Sequence, residues 1–239
     1  MEKMAVTVFW SEKLATGRFI RRLNRFAVEI ATATAASLRL HLPNSGRLRE
    51  LLVPGAEVRW LPRPERQGVT VGDLLLVAYQ GRWVCVDARV PNQLAEALLG
   101  QGLWPGPLPS IQKLRREVTA GESRFDLGWQ GKEGQGFLEV KSVTLVVEGE
   151  GRFPDAPTTR GTRHLQHLAE LSRQGYWTGV LFIIQRDDAL TFVPNHATDP
   201  AFAAALSSAA GAGVHIAAAL CPVDEDGIAF RQWLPVRLA

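Results

Sequence analysis

The chain has 239 residues, 46% hydrophobic and 21% charged, ordinary proportions for a globular protein and enough length for one large domain or two small ones. No uninterrupted apolar stretch has the ~18 residues of a membrane span. The nearest, AAALSSAAGAGVHIAAAL, is mostly Ala and Gly and is broken by serines and His215.

The net charge of +3 hides an asymmetry. Residues 1–86 hold 13 Lys+Arg against 7 Asp+Glu, a balance of +6, whereas residues 87–239 hold 14 against 17, a balance of −3. A basic front half points to a polyanion such as nucleic acid; the competing reading is a solvated arginine-rich surface. The opening MEKMAVTVFW lacks an apolar signal segment with a small-residue cleavage site. Cys85 and Cys221 lie far apart without ligand-like spacing, so both are expected to be reduced core residues of a cytoplasmic protein.

In chain order, GRFIRRL, RFAVEIAT, SLRLHL, AEVRWL, DLLLVAY and RWVCVDA read as short strands. NSGRLRELL between them reads as a short helix entered at Asn44 or Ser45, and VPGAEV restarts a strand after a Pro-Gly turn. Five or six strands and one short helix within residues 1–86 predict a small β-barrel of the oligonucleotide-binding (OB) size. PNQLAEALLGQGL (91–103) reads as a helix and WPGPLP (104–109) as a connector. Residues 87–239 then mix strands and helices. SIQKLRREV is expected to be helical, SRFDLGWQ and FLEVKSVTLVVEG to be strands about a GKEGQG turn, and FPDAPTTRGTRHLQHLAELSRQG a loop feeding a helix that stops at Gly175. WTGVLFIIQ reads as a buried strand, DPAFAAALSSAAGAG as a helix capped by Asp199 with Pro200 first, and VHIAAAL and IAFRQWLPV as strands. The overall class is α/β (α+β over the whole chain), with a sheet covered on both faces.

FLEVKSVTL carries Glu139 and Lys141 on one face of an apolar strand. A turn at 131–136 pairs residues whose numbers sum to 267, which sets Asp126 opposite Lys141 with Glu139 on the diagonal. A register shift of two leaves all three on the same face. Two converging carboxylates suit a hard divalent cation such as Mg²⁺, and a neighbouring ammonium suits the charge that develops in phosphodiester hydrolysis. A cross-strand salt bridge on a solvated face fits the same residues. Glu117 is a further candidate carboxylate, or else an exposed partner of Arg116 or Lys113. On a helix, Arg160, His164, His167 and Leu171 fall within about 60° of one another, a basic stripe starting near an N-terminus that favours phosphate. Asn44-Ser45-Gly46 reads either as a capped turn or as amides offered to a phosphate.

Five blocks in order, RRLNRFAVEI, HLPNSGRL, ESRFDL, FLEVKSVTL and GRFPDAPTTRGTRHLQHL, make the chain resemble the sugar fermentation stimulation protein A (SfsA) family from about Arg18 to the final LPVRL. The resemblance implies an N-terminal OB-like barrel over 1–86 and a PD-(D/E)xK nuclease-like domain over 87–239. It also implies DNA as partner, with a regulatory link to sugar metabolism. Residue by residue, Asp126, Glu139 and Lys141 match the nuclease-like motif, Glu117 the upstream acid, and Arg160, Gly161 and His164 the RG-x-x-HL block. Leu42, Ser45 and Thr162 depart from the family pattern. Under this reading Arg18, Arg21, Arg22, Arg25 and Arg39, with Asn44, Arg160 and His164, contact nucleic acid. Asp126, Glu139 and Glu117 hold Mg²⁺ or Mn²⁺, the Val140 carbonyl adds a ligand, and Lys141 orients the attacking water. The alternative is a DNA-binding regulator whose nuclease-like site is silent; a sugar-binding module has no cluster of aromatic and amide residues behind it.

Overall fold

A computed structural model describes residues 6–238. Its first strand, β1 (Thr7–Phe9), lies within the stretch assigned to the barrel but pairs antiparallel with residues 227–229. Val6 joins the hydrophobic core of the second domain.

The barrel follows: β2 (Ala15–Asn24), β3 (Ala27–Ala31), β4 (Leu38–His41), β5 (Glu57–Pro62), β6 (Gly72–Tyr79) and β7 (Arg82–Cys85). The strand order is β4-β3-β2-β5-β6-β7, and a β4–β6 bridge at His41 and Asp73 closes β2 to β6 into a five-stranded barrel. Alternate residues fill it, among them Phe19, Val28, Ile30, Leu40, Val58 and Leu74, because successive side chains on a strand point to opposite faces. Gly72 is required at the closure: a Cβ there would sit 2.3 Å from the Leu61 carbonyl oxygen and 2.7 Å from the Trp60 ring.

The helix expected over NSGRLRELL is one turn. Leu51 and Leu52 N–H both donate to the Leu48 carbonyl, at 3.2 and 2.9 Å, and Leu48 itself has φ +51°. A left-handed residue stops helix growth. The Asn44 side chain takes the Gly46 N–H (2.7 Å) and Asp155 takes the Leu48 N–H (3.1 Å), so local partners satisfy these donors.

The second domain begins with α1 (Val90–Gly100) and continues with β8 (Lys113–Ala120), β9 (Ser123–Gly131), β10 (Gly134–Val143), β11 (Leu145–Val147) and β12 (Glu150–Phe153). Then come α2 (Thr159–Arg173), β13 (Trp177–Ile184), β14 (Thr191–Pro194), α3 (Pro200–Gly211), β15 (His215–Leu220), β16 (Gly227–Ala229) and β17 (Gln232–Leu234). The main sheet has the order β17-β15-β13-β10-β9-β8, parallel from β10 through β13 to β15 and antiparallel elsewhere. On β13, Val180, Phe182 and Ile184 pack with α2 and α3, while Leu181 and Ile183 pack with α1 on the opposite face. Covering on both faces explains why this strand is apolar throughout.

SIQKLRREV is not a helix; its residues 113–118 lie in β8. Leu114 and Val118 are four apart, a spacing that fits a strand as well as a helix, and they pair with Trp129 and Phe125. Glu117, at φ +51°, skips the ladder between Arg116 and Val118. The expected strand 137–149 breaks at Thr144 into β10 and β11, and 228–236 divides into β16 and β17. Residues 191–194 form an unanticipated strand, which with β11 and β12 makes a small separate sheet. Asp199 caps α3 through the Phe202 N–H (2.9 Å), and Pro200 is its first residue, as expected. Cys85 and Cys221 are buried and unpaired. Among the described residues no helix is long and apolar enough to cross a membrane.

Contacts in several places join the two domains. Arg82 pairs with Asp187 (2.8 Å), the Arg186 guanidinium lies 4.7 Å over the Tyr79 ring, and Val223 bridges Trp83 to Ile228. Beneath them, buried Asp73 receives Arg66 (2.8 Å), His41 (3.0 Å) and Arg89 (3.1 Å), the last from the residue before α1. Burial disfavours this charge, but the hydrogen bonds from Arg66, His41 and Arg89 outweigh it and hold the Asp73 carboxyl down at about 2. A depressed carboxyl adds stability above its ordinary 3.8 and loses it as pH falls toward 2. Asp73→Asn should cost about 2–3 kcal/mol at neutral pH, because the arginines keep partial access to water. Urea unfolding at pH 7 and at pH 3 should show the deficit shrinking in acid.

Candidate metal and nucleic-acid site

β9 and β10 are joined by a tight turn at Lys132 and Glu133, and paired residue numbers sum to 265 rather than 267. The ladder between them runs from Gly131–Gly134 to Leu127–Leu138 and stops there. One residue further on, the Asp126 side chain replaces the backbone acceptor: its Oδ2 takes the Val140 N–H at 2.8 Å. The register shift of two leaves Asp126, Glu139 and Lys141 lining one cleft, of about 370 Å³, between the main sheet and the barrel.

Asp126, Glu139 and Lys141 each have a defined partner. Asn92, in the first turn of α1, donates to Asp126 Oδ1 at 2.9 Å. Lys141 Nζ and His164 Nδ1 both reach Glu139 Oε1, at 2.5 and 2.6 Å. Arg160 Nε donates to His164 Nε2 at 3.4 Å. Glu139 is only 4% exposed, and its second oxygen, Oε2, is buried without a hydrogen-bond partner. Burial opposes ionisation of Glu139, but the Lys141 ammonium and the His164 hydrogen bond outweigh it and leave the carboxyl below the ordinary glutamate range. Asp126 moves the other way. Burial, then the negative Glu139 beside it, raises its carboxyl above the usual aspartate value against the pull of Lys141.

The other residues expected at the site divide clearly. Glu117 does not join the cluster: it stands on β8 with an exposed side chain, 3.5 Å from Arg124, because the edge strand turns it to solvent. His164 is not a surface residue of a basic stripe; it is buried under Glu139, and of the stripe only Arg160 is exposed, at the rim of the cleft. Arg25 also lines the rim. Arg22 is committed elsewhere: its guanidinium donates to the carbonyls of Asn24, Arg25, Asn44, Gly46 and Arg47 at 2.7–3.3 Å. Arg21 pairs with Glu29 (2.6 Å), Arg18 bonds the Gly55 carbonyl (3.0 Å), and Arg39 is exposed on β4; none of the three lines the cleft. Asn44 lines it but uses its amide in a turn, taking the Gly46 N–H and donating to the Val86 carbonyl (3.0 Å). Asn92, Asp155 and Arg152 were missed. Asn92 follows Pro91 at the start of an apolar helix, and nothing local shows that it meets a carboxylate 34 residues away.

A raised aspartate stabilises the fold only where it is protonated, so its contribution fades as pH rises above the ordinary 3.8 through the shifted value. Asp126→Asn in EDTA should therefore be the more stable of the two at pH 7, with the gain vanishing near pH 4. Paired urea titrations check this, and a destabilised variant at pH 7 would refute it.

Comparison with known proteins follows the same division of the chain. The family model described as "Sugar fermentation stimulation protein RE domain" matches residues 89–227, and "SfsA N-terminal OB domain" matches residues 20–86. The sugar fermentation stimulation protein homolog of Natranaerobius thermophilus is 42% identical over 228 residues, covering 94% of this chain and 95% of its own. That of Moorella thermoacetica is 44% identical over 215 residues, covering 88% and 91%. The structure of Pyrococcus furiosus SfsA in complex with Ca²⁺ matches with a TM-score of 0.87 at 30% identity, over 98% of this chain and 100% of that one. The chain belongs to the sugar fermentation stimulation protein (SfsA) family.

Proposed function

We propose that the protein binds DNA and that the cleft is a metal-dependent phosphodiesterase site of the PD-(D/E)xK kind. The observation that carries this reading is the buried Glu139 carboxylate, with Oε2 lacking any hydrogen-bond partner, next to the half-buried Asp126. An orphaned buried carboxylate oxygen is costly unless something positive meets it. Among the described residues no three His, Cys, Asp or Glu side chains converge as a ready-made cage. The donor set of two carboxylates and the Val140 carbonyl suits Mg²⁺ or Mn²⁺, which keep several positions for water and phosphate oxygens. The Ca²⁺ complex of the Pyrococcus relative supports a divalent cation here. Bound at Asp126 and Glu139, such an ion would acidify a water and neutralise phosphate charge.

The chain's own groups serve that chemistry. Asn92 and the Val140 N–H fix the Asp126 carboxylate, and His164 fixes Glu139 from below. Lys141, with its side chain 14% exposed, offers an ammonium to a phosphate entering the cleft. Arg25 and Arg160 at the rim provide the salt-sensitive grip on the backbone. One observation favours a second reading, a DNA-binding regulator with a silent site: Glu117 stands outside the cleft, and the neutral amide of Asn92 stands next to Asp126 instead.

Purified protein should cut DNA with Mg²⁺ or Mn²⁺, stop in EDTA, and bind DNA less tightly as salt rises. Lys141→Ala should lower cutting by about 10²–10³-fold while leaving the dissociation constant for DNA nearly unchanged. Binding without cleavage of any substrate with either metal would leave the regulator reading standing.

A further inference from the structure

We infer that the cleft admits an unpaired strand or strand end and not continuous duplex, an inference that rests on the nucleic-acid reading above. The groups that would meet the scissile phosphate are recessed, with Glu139 4% exposed and the Lys141 side chain 14% exposed. At about 370 Å³ the space lies near the lower end of small-molecule pockets. It takes roughly one nucleotide at a time.

A roof covers part of the approach. The barrel loop at 44–48 crosses to the loop after β12, and the Leu48 N–H donates to Asp155 Oδ2 at 3.1 Å. The two walls touch: a Cβ at Gly46 would fall 2.9 Å from the same Asp155 oxygen. Both walls are tied down by hydrogen bonds and ion pairs. Three carbonyl contacts of Arg22, to Asn44, Gly46 and Arg47, hold the roof loop to the barrel, and Asn44 ties it to Val86. Ion pairs such as Arg82–Asp187 hold the barrel to the second domain.

A duplex carries its phosphates on a broad convex face backed by paired bases. It cannot lower one phosphate under this roof without parting the walls. A single strand bends, and its bases splay apart. The lining suits such a guest, with Arg25 and Arg160 placed for flanking phosphates and Leu145, Ala156 and Pro157 giving apolar faces for one base.

The test uses the full chain and three labelled DNAs of one sequence: single strand, blunt duplex, and duplex with a single-stranded tail. Anisotropy is read in EDTA at near-physiological salt, which suppresses non-specific binding, and cutting is read with Mn²⁺. Single strand and tailed duplex should bind at least about tenfold tighter than blunt duplex, with cuts confined to the unpaired part or its junction. Asp155→Ala, checked for folding by its melting temperature, should narrow that preference. An unchanged preference in the folded variant overturns the roof as its cause. Blunt duplex bound as tightly as single strand and cut at interior positions overturns the inference and leaves the nucleic-acid reading intact. Binding to none of the three overturns both.

Discussion

The carboxylate of Asp126 sits where a backbone acceptor would otherwise continue the ladder between β9 and β10. Ending the ladder there lets the two strands separate, and the space between them becomes the floor of the cleft. The same substitution fixes the position of Asp126 by a main-chain donor rather than by a flexible side chain, the kind of support that a precise site requires. Glu139 follows from it, since strand alternation then turns its side chain toward α2 and onto His164.

Like charges brought together in a buried place raise one another's proton affinity, and the protein answers this asymmetrically. Glu139 has a lysine, a histidine and burial acting on it, and the favourable contacts win. Asp126 has one amide and one backbone N–H, and burial together with Glu139 wins. Two neighbouring carboxyl groups pushed in opposite directions, one with an oxygen left without a partner, form an electrostatically incomplete site. A cation would complete it.

Much of the arginine that makes the front half basic is used inside the structure. Arg22 holds a loop, Arg66 pairs with buried Asp73, Arg59 stacks 4.5 Å over the Trp83 ring while pairing with Glu57 and Glu225, and Arg82 bonds the second domain. These contacts give the cleft fixed walls, because a guanidinium with several carbonyl or carboxylate partners is hard to displace. A charge count alone overstates how much of this positive charge is offered to a polyanion.

What the sequence determined by itself was whatever depends on short-range pattern. The alternation in GRFIRRL through RWVCVDA marked the barrel strands, Asp199-Pro200 marked the start of α3, and the period of two placed Glu139 and Lys141 side by side; Asp126 joins their cleft although the assumed register was off by two. The failures were local too: Leu114 and Val118 satisfy both helix and strand spacing, and the left-handed Leu48 and Glu117 left no compositional mark. Tertiary structure alone decided which charges meet. Asn92 reaches Asp126, His164 reaches Glu139 and Asp155 reaches Leu48 across 34, 25 and 107 residues. Glu117, nine residues from Asp126, faces solvent instead. Periodicity fixes the face on which a residue lies, but the partner waiting there is set by how sheets, helices and barrel pack, a long-range outcome that residue spacing does not encode.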